Sequence, residues 1–297
     1  MYNCEVIIDE VNQNSDRITK LKAQVDSGNV EADVVYMSGP YAKEAEGLGI
    51  FEKIDTNIVT NMDELYDFAQ NDTGYGPMVC VGRFGIMYNA DILAEKGLEP
   101  PTSYMELFDD KYAGLVAMPA MTATAGPYVF AAIAEELGGS LDDYQAALDF
   151  YAEKKDNIKL WYTTELVAAV MNQEVAITVY MDLMFPVFKG AEINMQWADA
   201  KEGNFADDVF INVVKDAPNA ELAQLFVKYA LEVEQQEKFL NDNWEAPTNK
   251  NAKMSDELDP YLVYGADEFE NCTFFDYTKL NAVKGTIIEE WQKIVNE

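Results

Sequence analysis

An α/β fold in two parts is predicted by three observations. The chain has 297 residues, enough to bury two cores. Residues 4–9 alternate like a strand, 16–27 carry helical spacing, and 32–37 form a short apolar run; this β-α-β rhythm signals a parallel sheet. A second apolar strand, over 79–88, holds Gly82 and Gly85. Glycines inside a strand mark bends or close backbone approach, which suits a strand passing from one part of the molecule to the other.

Each element follows from local chemistry. Asn14-Ser15-Asp16 caps the helix over 16–27, where Ile18, Leu21 and Val25 share a face, and Gly28-Asn29 ends it. The strand at 32–37 leads to the loop Ser38-Gly39-Pro40, and helices are expected at 40–48 and 61–70. After the glycine-bearing strand come a short helix at 89–96 and another begun by Pro101-Thr102-Ser103-Tyr104. A strand at 115–118 and a helix at 127–138 follow. Residues 140–154 are expected as a helix with Asp142 and Asp143 in its first turn, where the dipole favours acids. Strands are expected at 159–162, 175–181, 193–197 and 209–214, and a helix at 165–173. One long helix covers 220–241, and a last one covers 285–296.

Composition narrows the function. The net charge is −32, from 53 acidic and 21 basic residues. Phosphate backbones and anionic membrane surfaces need clustered Lys and Arg, so neither nucleic acid nor membrane docking fits. No apolar run approaches the roughly 18 residues of a membrane span. Histidine is absent, which removes the commonest general base and transition-metal ligand. Cys4, Cys80 and Cys272 are far apart and are read as buried free thiols, not as a metal or redox motif. Only Arg17 and Arg83 can offer a guanidinium fork to a carboxylate or phosphate. No nucleophile, zinc-protease or phosphate-loop string is present.

A series of short motifs, in order, carries a family resemblance. They are Asp33-Val34-Val35; Tyr88-Asn89; Pro101-Thr102-Ser103-Tyr104 with Leu107; and Lys111-Tyr112-Ala113-Gly114-Leu115-Val116. Then come Gln173-Glu174-Val175-Ala176-Ile177, where Gln replaces the usual Gly, Lys201-Glu202-Gly203, Ala217-Pro218-Asn219 and Glu234-Gln235-Gln236. Over residues 1–250 the chain resembles bacterial extracellular solute-binding proteins of ABC importers, the type II periplasmic binding proteins of the iron, polyamine and phosphonate group. Members usually carry one strand and helix before the strand expected at 4–9, and no secretory leader is seen at Met1. The resemblance implies that this upstream segment is missing here.

What the resemblance implies is a two-lobed α/β fold, mixed sheets flanked by helices, with a ligand cleft between the lobes. The first lobe is expected from 1–84 with about 209–260, the second from 85–208 with about 261–297. A polar solute binds, closure buries it, and a membrane permease accepts it; no bond is made or broken and no cofactor is needed. The setting is periplasmic or extracellular, and a monomer is the expected state.

Loops after the carboxyl ends of parallel strands are the expected ligand positions. They hold Asn14, Ser15, Ser38, Tyr41, Arg83, Thr122, Thr124, Tyr162, Tyr180, Asp182 and Trp197, with Trp244 in the loop before Pro247. Thr122 and Thr124 either frame an anion-binding helix start or simply cap that helix. Tyr180 and Trp197 either stack on a ligand or belong to the core. Asp182 either pairs with an amine or is a solvated turn residue. Arg83 needs an acidic partner, from a ligand or from the protein. Ferric-binding relatives use adjacent tyrosines near Tyr180, where this chain reads Val179-Tyr180-Met181-Asp182. Polyamine-binding relatives place acids in the stretch that here reads Met121-Thr122-Ala123-Thr124-Ala125-Gly126. The expected solute is small and amine-bearing or zwitterionic, of polyamine or aminophosphonate class. The alternatives are a ferric-ion carrier and a carboxylate-based hydrolase.

Overall fold

The structure, a computed structural model, describes residues 4–9, 14–255 and 265–296. The helices are α1 (Asn14–Ser27), α2 (Gly39–Gly47), α3 (Ala90–Lys96), α4 (Gly126–Glu136), α5 (Gln145–Lys154), α6 (Leu166–Met171), α7 (Phe185–Gly190), α8 (Ala220–Ala230), α9 (Val233–Asn243), α10 (Ala266–Glu270) and α11 (Tyr277–Asn296). The strands are β1 (Val34–Ser38), β2 (Met78–Asn89), β3 (Val116–Pro119), β4 (Ile158–Tyr162), β5 (Ile177–Met181), β6 (Met195–Trp197), β7 (Asn204–Val213), β8 (Ala246–Pro247) and β9 (Cys272–Thr273). Chain contacts define two compact units, Met1–Val79 with Val209–Glu232, and Cys80–Asp208 with Val233–Glu297. The junctions therefore fall within β2, at the end of Asp207-Asp208 in β7, and between α8 and α9. The sequence-based division had placed the first junction at 84/85 and residues 233–260 with the first part.

In the first unit, β1 runs antiparallel to the second half of β7, from Val34 opposite Val213 to Ser38 opposite Val209. Helix α1 buries Ile18 and Leu21, and α2 buries Ala42 and Ala45. Buried Gln224 of α8 ties down the loop that follows α2: its amide donates to the Lys53 carbonyl at 2.9 Å and accepts from the Asp55 N–H at 3.1 Å. Gly76 lies flat on β7. Its N–H donates to Asn212 Oδ1 at 2.9 Å, and a Cβ there would sit 1.8 Å from the Ile211 carbonyl oxygen.

In the second unit, β2 pairs antiparallel with β5, from Phe84 opposite Met181 to Tyr88 opposite Ile177, and with β6 on its other side. Strand β5 lies parallel to β3, and β3 parallel to β4. Alternation along β2 serves two cores. Phe84 and Ile86 join Tyr128, Phe130 and Ile133 of α4, Leu148 and Tyr151 of α5, and Ile287 and Trp291 of α11. Met87 joins Leu166, Val170, Phe185 and Phe188. Asn89 ends the strand and caps α3, its Oδ1 accepting from the N–H groups of Asp91 and Ile92 at 3.1 Å each.

Several expected elements differ, each for a local reason. Residues 4–9 form no strand, and Ile7 is 86% exposed. Alternation makes a strand only where a neighbour completes its hydrogen bonds. Cys4, on that segment, is exposed and not buried; Cys80 is buried and Cys272 half-buried. The helix expected at 61–70 is two 3-10 turns, Met62–Glu64 and Asp67–Ala69, parted by Leu65, which turns extended to reach the core. Pro101 and Ser103 lead only to a 3-10 turn, Met105–Phe108. Helix α5 starts at Gln145, because Ser140 Oγ accepts from the Asp142 N–H and the Ser140 and Asp143 backbones pair in a turn. The long helix over 220–241 is two, since the N–H of fully buried Leu231 is shared between the Val227 and Lys228 carbonyls. Helix α11 begins well before Gly285, where Asp276 Oδ1 accepts from the N–H groups of Thr278 and Lys279.

Gly76 generates the first prediction. Its replacement by alanine is expected to cost about 3 kcal/mol or more, or to prevent folding, because a backbone carbonyl occupies the space. Urea unfolding measures it, and a loss below about 1 kcal/mol would refute the close approach.

Candidate functional site

One edge of the second unit's sheet gathers polar groups. Strands β3, β4 and β5 are mutually parallel, so their carboxyl ends share that edge; Pro119 pairs with Tyr162 there. Strand β2 runs the other way, so its entry end lies at the same edge. With Phe84 opposite Met181, the residues just beyond are Arg83 and Asp182.

Gly82 makes room for carboxylates. A Cβ there would lie 3.0 Å from Asp182 Oδ1 and 3.8 Å from Asp207 Cβ. Asp182 is fully buried and accepts from the Leu183 N–H at 2.9 Å. Asp207 keeps some surface exposure, yet its carboxyl is pushed up to about 8, first by burial and then by Asp208, Glu245 and Asp182. Asp208 is buried and accepts from the Tyr277 hydroxyl. Glu245 accepts from the Cys80 thiol at 2.9 Å, and its own carboxyl is raised by burial. Burial and these acids hold the Cys80 thiol well above its ordinary range, which makes it a poor nucleophile.

Arg83 points to the opposite side of β2 from Gly82, with 9% of its surface exposed. Its guanidinium lies 4.2 Å from the Trp197 ring centre and 3.8 Å from Glu268. Burial lowers its pKa, and the charge of Asp182 is the largest force opposing that. Gly85 permits this packing: a Cβ there would sit 2.2 Å from Asn204 Oδ1 and 2.9 Å from Trp197 Cζ3. Half-buried Trp197 also meets Phe185 edge-on, with ring centres 4.9 Å apart. Half-buried Tyr180 stands at 89° to Tyr162, with ring centres 5.8 Å apart. Tyr162 itself is buried and donates to the Val179 carbonyl, so it buttresses Tyr180 from within the core.

Thr122 and Thr124 are exposed on the loop before α4. Neither caps that helix: Ala125 occupies the cap position and no side chain bonds there. The loop folds tightly, since a Cβ on Gly126 would lie 2.1 Å from the Ala120 carbonyl oxygen. Trp244 is half-buried with φ +58, a turn that places Glu245 against Cys80.

The remaining expected residues belong to the first unit. Asn14 Nδ2 donates to Ser38 Oγ at 3.0 Å, joining the start of α1 to the end of β1. Arg17 braces this pair, donating to Asn14 Oδ1 and to the Tyr36 carbonyl, each at 3.2 Å. Ser15 is exposed beside them, and Tyr41 lies half-buried in the first turn of α2.

Asp207, Asp208, Glu245 and Glu268 were not singled out from sequence. The signal for the first two was present: an Asp-Asp pair inside the apolar string Phe205-Ala206-Asp207-Asp208-Val209-Phe210. Acids in a buried strand demand a partner or a purpose. Among the described residues, no group of three or more Cys, Asp or Glu side chains is arranged to hold a metal ion.

The chain belongs to the bacterial extracellular solute-binding protein family, whose pattern it matches over residues 1–261. A 1.85 Å crystal structure of an ABC transporter from Clostridium perfringens aligns with a TM-score of 0.85 and 28% identity, covering 98% of this chain and 90% of that one. The spermidine/putrescine ABC transporter substrate-binding protein PotD from Streptococcus pneumoniae aligns with a TM-score of 0.76 and 15% identity, covering 95% and 89%. The periplasmic binding protein AfuA from Actinobacillus pleuropneumoniae, with fructose-6-phosphate bound, aligns with a TM-score of 0.69 and 20% identity, covering 96% and 86%. The fold is thus the two-lobed α/β fold of periplasmic binding proteins. The protein is the solute-binding component of an ABC transporter, of a family that works outside the cytoplasmic membrane. Among the described residues, no helix is long and apolar enough to cross a membrane.

Asp207 gives a pH prediction. Its folded-state pKa of about 8 exceeds the ordinary 3.8, so its proton stabilises the fold fully below pH 3.8. That contribution is lost as pH rises towards 8. Asp207→Asn is expected to remove this loss, so the variant gains on wild type by a few kcal/mol between pH 4.5 and 8.5. Partial exposure keeps the gain well under the ceiling of about 1.4 kcal/mol per pH unit. Urea unfolding at both pH values checks it, and parallel curves would refute it.

Proposed function

We propose that the captured solute is small and amine-bearing or zwitterionic, and that it passes unchanged to the membrane permease of the importer. The observation that supports this reading is the convergence of Asp182 and Asp207 at Gly82, where burial first, and then Asp208 and Glu245, hold a proton on Asp207. An ammonium group entering there offsets negative charge that the fold already holds at a cost. Relatives of this fold take solutes as different as polyamines and sugar phosphates, judging from PotD and AfuA, so local charge has to make the choice. In this reading Arg83, Tyr180, Asp182, Asp207, Trp197, Thr122 and Thr124 serve the solute in the second unit. Tyr162 and Trp244 act as supports.

A bound cation favours the ionised form of Asp207, so binding releases a proton and affinity rises with pH. Calorimetric titration with putrescine, and with butyrate as the control lacking an amine, tests this at pH 6 and pH 8.5. Putrescine is expected to bind more tightly at pH 8.5, and butyrate not at all. Asp182→Asn should weaken putrescine at least tenfold, and Asp207→Asn should abolish the pH dependence. Unaltered putrescine affinity in both variants, or stabilisation by sugar phosphate or ferric citrate alone, would sink the proposal.

A further inference from the structure

Asp207 and Asp208 are neighbours in β7, so their side chains leave the strand on opposite sides. The two sides differ. Asp208 is 2% exposed and accepts from the hydroxyl of Tyr277, the first residue of α11, itself 4% exposed. Aromatic rings back this pair. Tyr128 of α4 lies 6.5 Å from the Tyr277 ring, and Phe275 stacks on Tyr128 with ring centres 4.4 Å apart. Asp207 keeps some surface exposure, and among the described residues no group donates a hydrogen bond to it.

That asymmetry decides where charge and proton sit. Two adjacent carboxyls in a low-dielectric setting do not both ionise cheaply, and they titrate as a pair. A hydroxyl donor favours the charged form of the carboxyl it meets, most strongly where water is excluded. Tyr277 is among the groups that hold Asp208, so the charge belongs there and the proton on Asp207. The surroundings agree. Cys80 of β2, Glu245 before β8 and Asp182 after β5 face the pair, while Arg83 answers Asp182 from the other side of β2. Burial first, then Asp208, Glu245 and Asp182, push the Asp207 carboxyl up to about 8. Burial and then Asp208 hold the Tyr277 hydroxyl well above its ordinary range, so it stays protonated and able to donate.

We infer that Tyr277 is a positioning residue for solute capture: by donating to Asp208 it keeps the charge on that buried carboxyl and leaves the proton on Asp207, the less buried partner that an ammonium group can reach. This rests on the amine-bearing reading above for the solute, and on the contacts of β7 and α11 for the placement of charge. Tyr277 acts through Asp208, from inside the core.

Carbon NMR of the full chain labelled at its aspartate carboxyls tests the placement without any ligand. In the wild type, one resonance is expected to titrate near pH 8 and to be missing from Asp207→Asn. Tyr277→Phe should lower that midpoint by about one pH unit. A second resonance, missing from the double variant Tyr277→Phe/Asp208→Asn, should then begin to titrate above about pH 6. Because stripping a donor from a buried carboxylate can prevent folding, Asp208→Asn provides a second arm. Its amide oxygen still accepts from Tyr277, and the Asp207 midpoint should again fall by about one unit. Calorimetric titration with putrescine gives the functional readout. The affinity gained between about pH 6 and pH 8.5 should shrink at least roughly threefold in Tyr277→Phe. An equal loss of affinity at both pH values would mark a merely structural role and overturn the inference. A midpoint shift of less than about 0.3 unit in Tyr277→Phe or in Asp208→Asn would overturn it too. The expected carboxyl shifts without putrescine binding would remove the amine reading and leave the charge placement standing. Putrescine binding with no aspartate titrating above about pH 6.5 would overturn the inference and leave the amine reading.

Discussion

The close approach of side chains to the two bare positions of β2, Gly82 and Gly85, is the constraint on which the second unit depends. Each glycine faces a different side of the strand, and each is filled by someone else's side chain. At Gly82 the visitors are Asp182 and Asp207; at Gly85 they are Trp197 and Asn204. Between them stands Arg83, the buried cation that both groups address. The flanking Phe84 and Ile86 anchor the strand in one core and Met87 in the other, so its position is set by packing rather than by the charges. The polar cluster is therefore held where electrostatics alone would not place it.

Much of this was legible in the residues. Short apolar runs located β1 to β5, and helical patterns located α1, α3, α4 and α6. The family motifs pointed to the fold because they mark turns and strand ends that the fold requires. What stayed hidden was decided by partners distant in sequence. Residues 4–9 alternate well but gain no partner strand among the described residues, Leu65 bends its segment to reach a core, and Leu231 divides a sequence with no local breaker. Those are tertiary choices overriding local preference.

The candidate site was legible only in part, for the same reason. Arg83 stood out by rarity, and Asp182, Tyr180 and Trp197 by their place at strand ends. Glu245 and Glu268 could not be chosen from 53 acids by sequence, because what distinguishes them is the residue of β2 each one faces, Cys80 and Arg83. Tyr162 shows the converse: a strand-end position alone does not tell whether a side chain turns outward or, as here, inward to a carbonyl.

The stacking of Arg83 on Trp197 has an optical consequence. An indole with a guanidinium 4.2 Å above its ring emits in the field of that charge. Anything that pairs with the guanidinium changes that field without touching the ring. Of the other tryptophans, Trp161 and Trp291 meet edge-on inside the core, and Trp244 sits in a turn. Trp197 thus gives the protein a built-in fluorophore whose signal tracks what pairs with its neighbour.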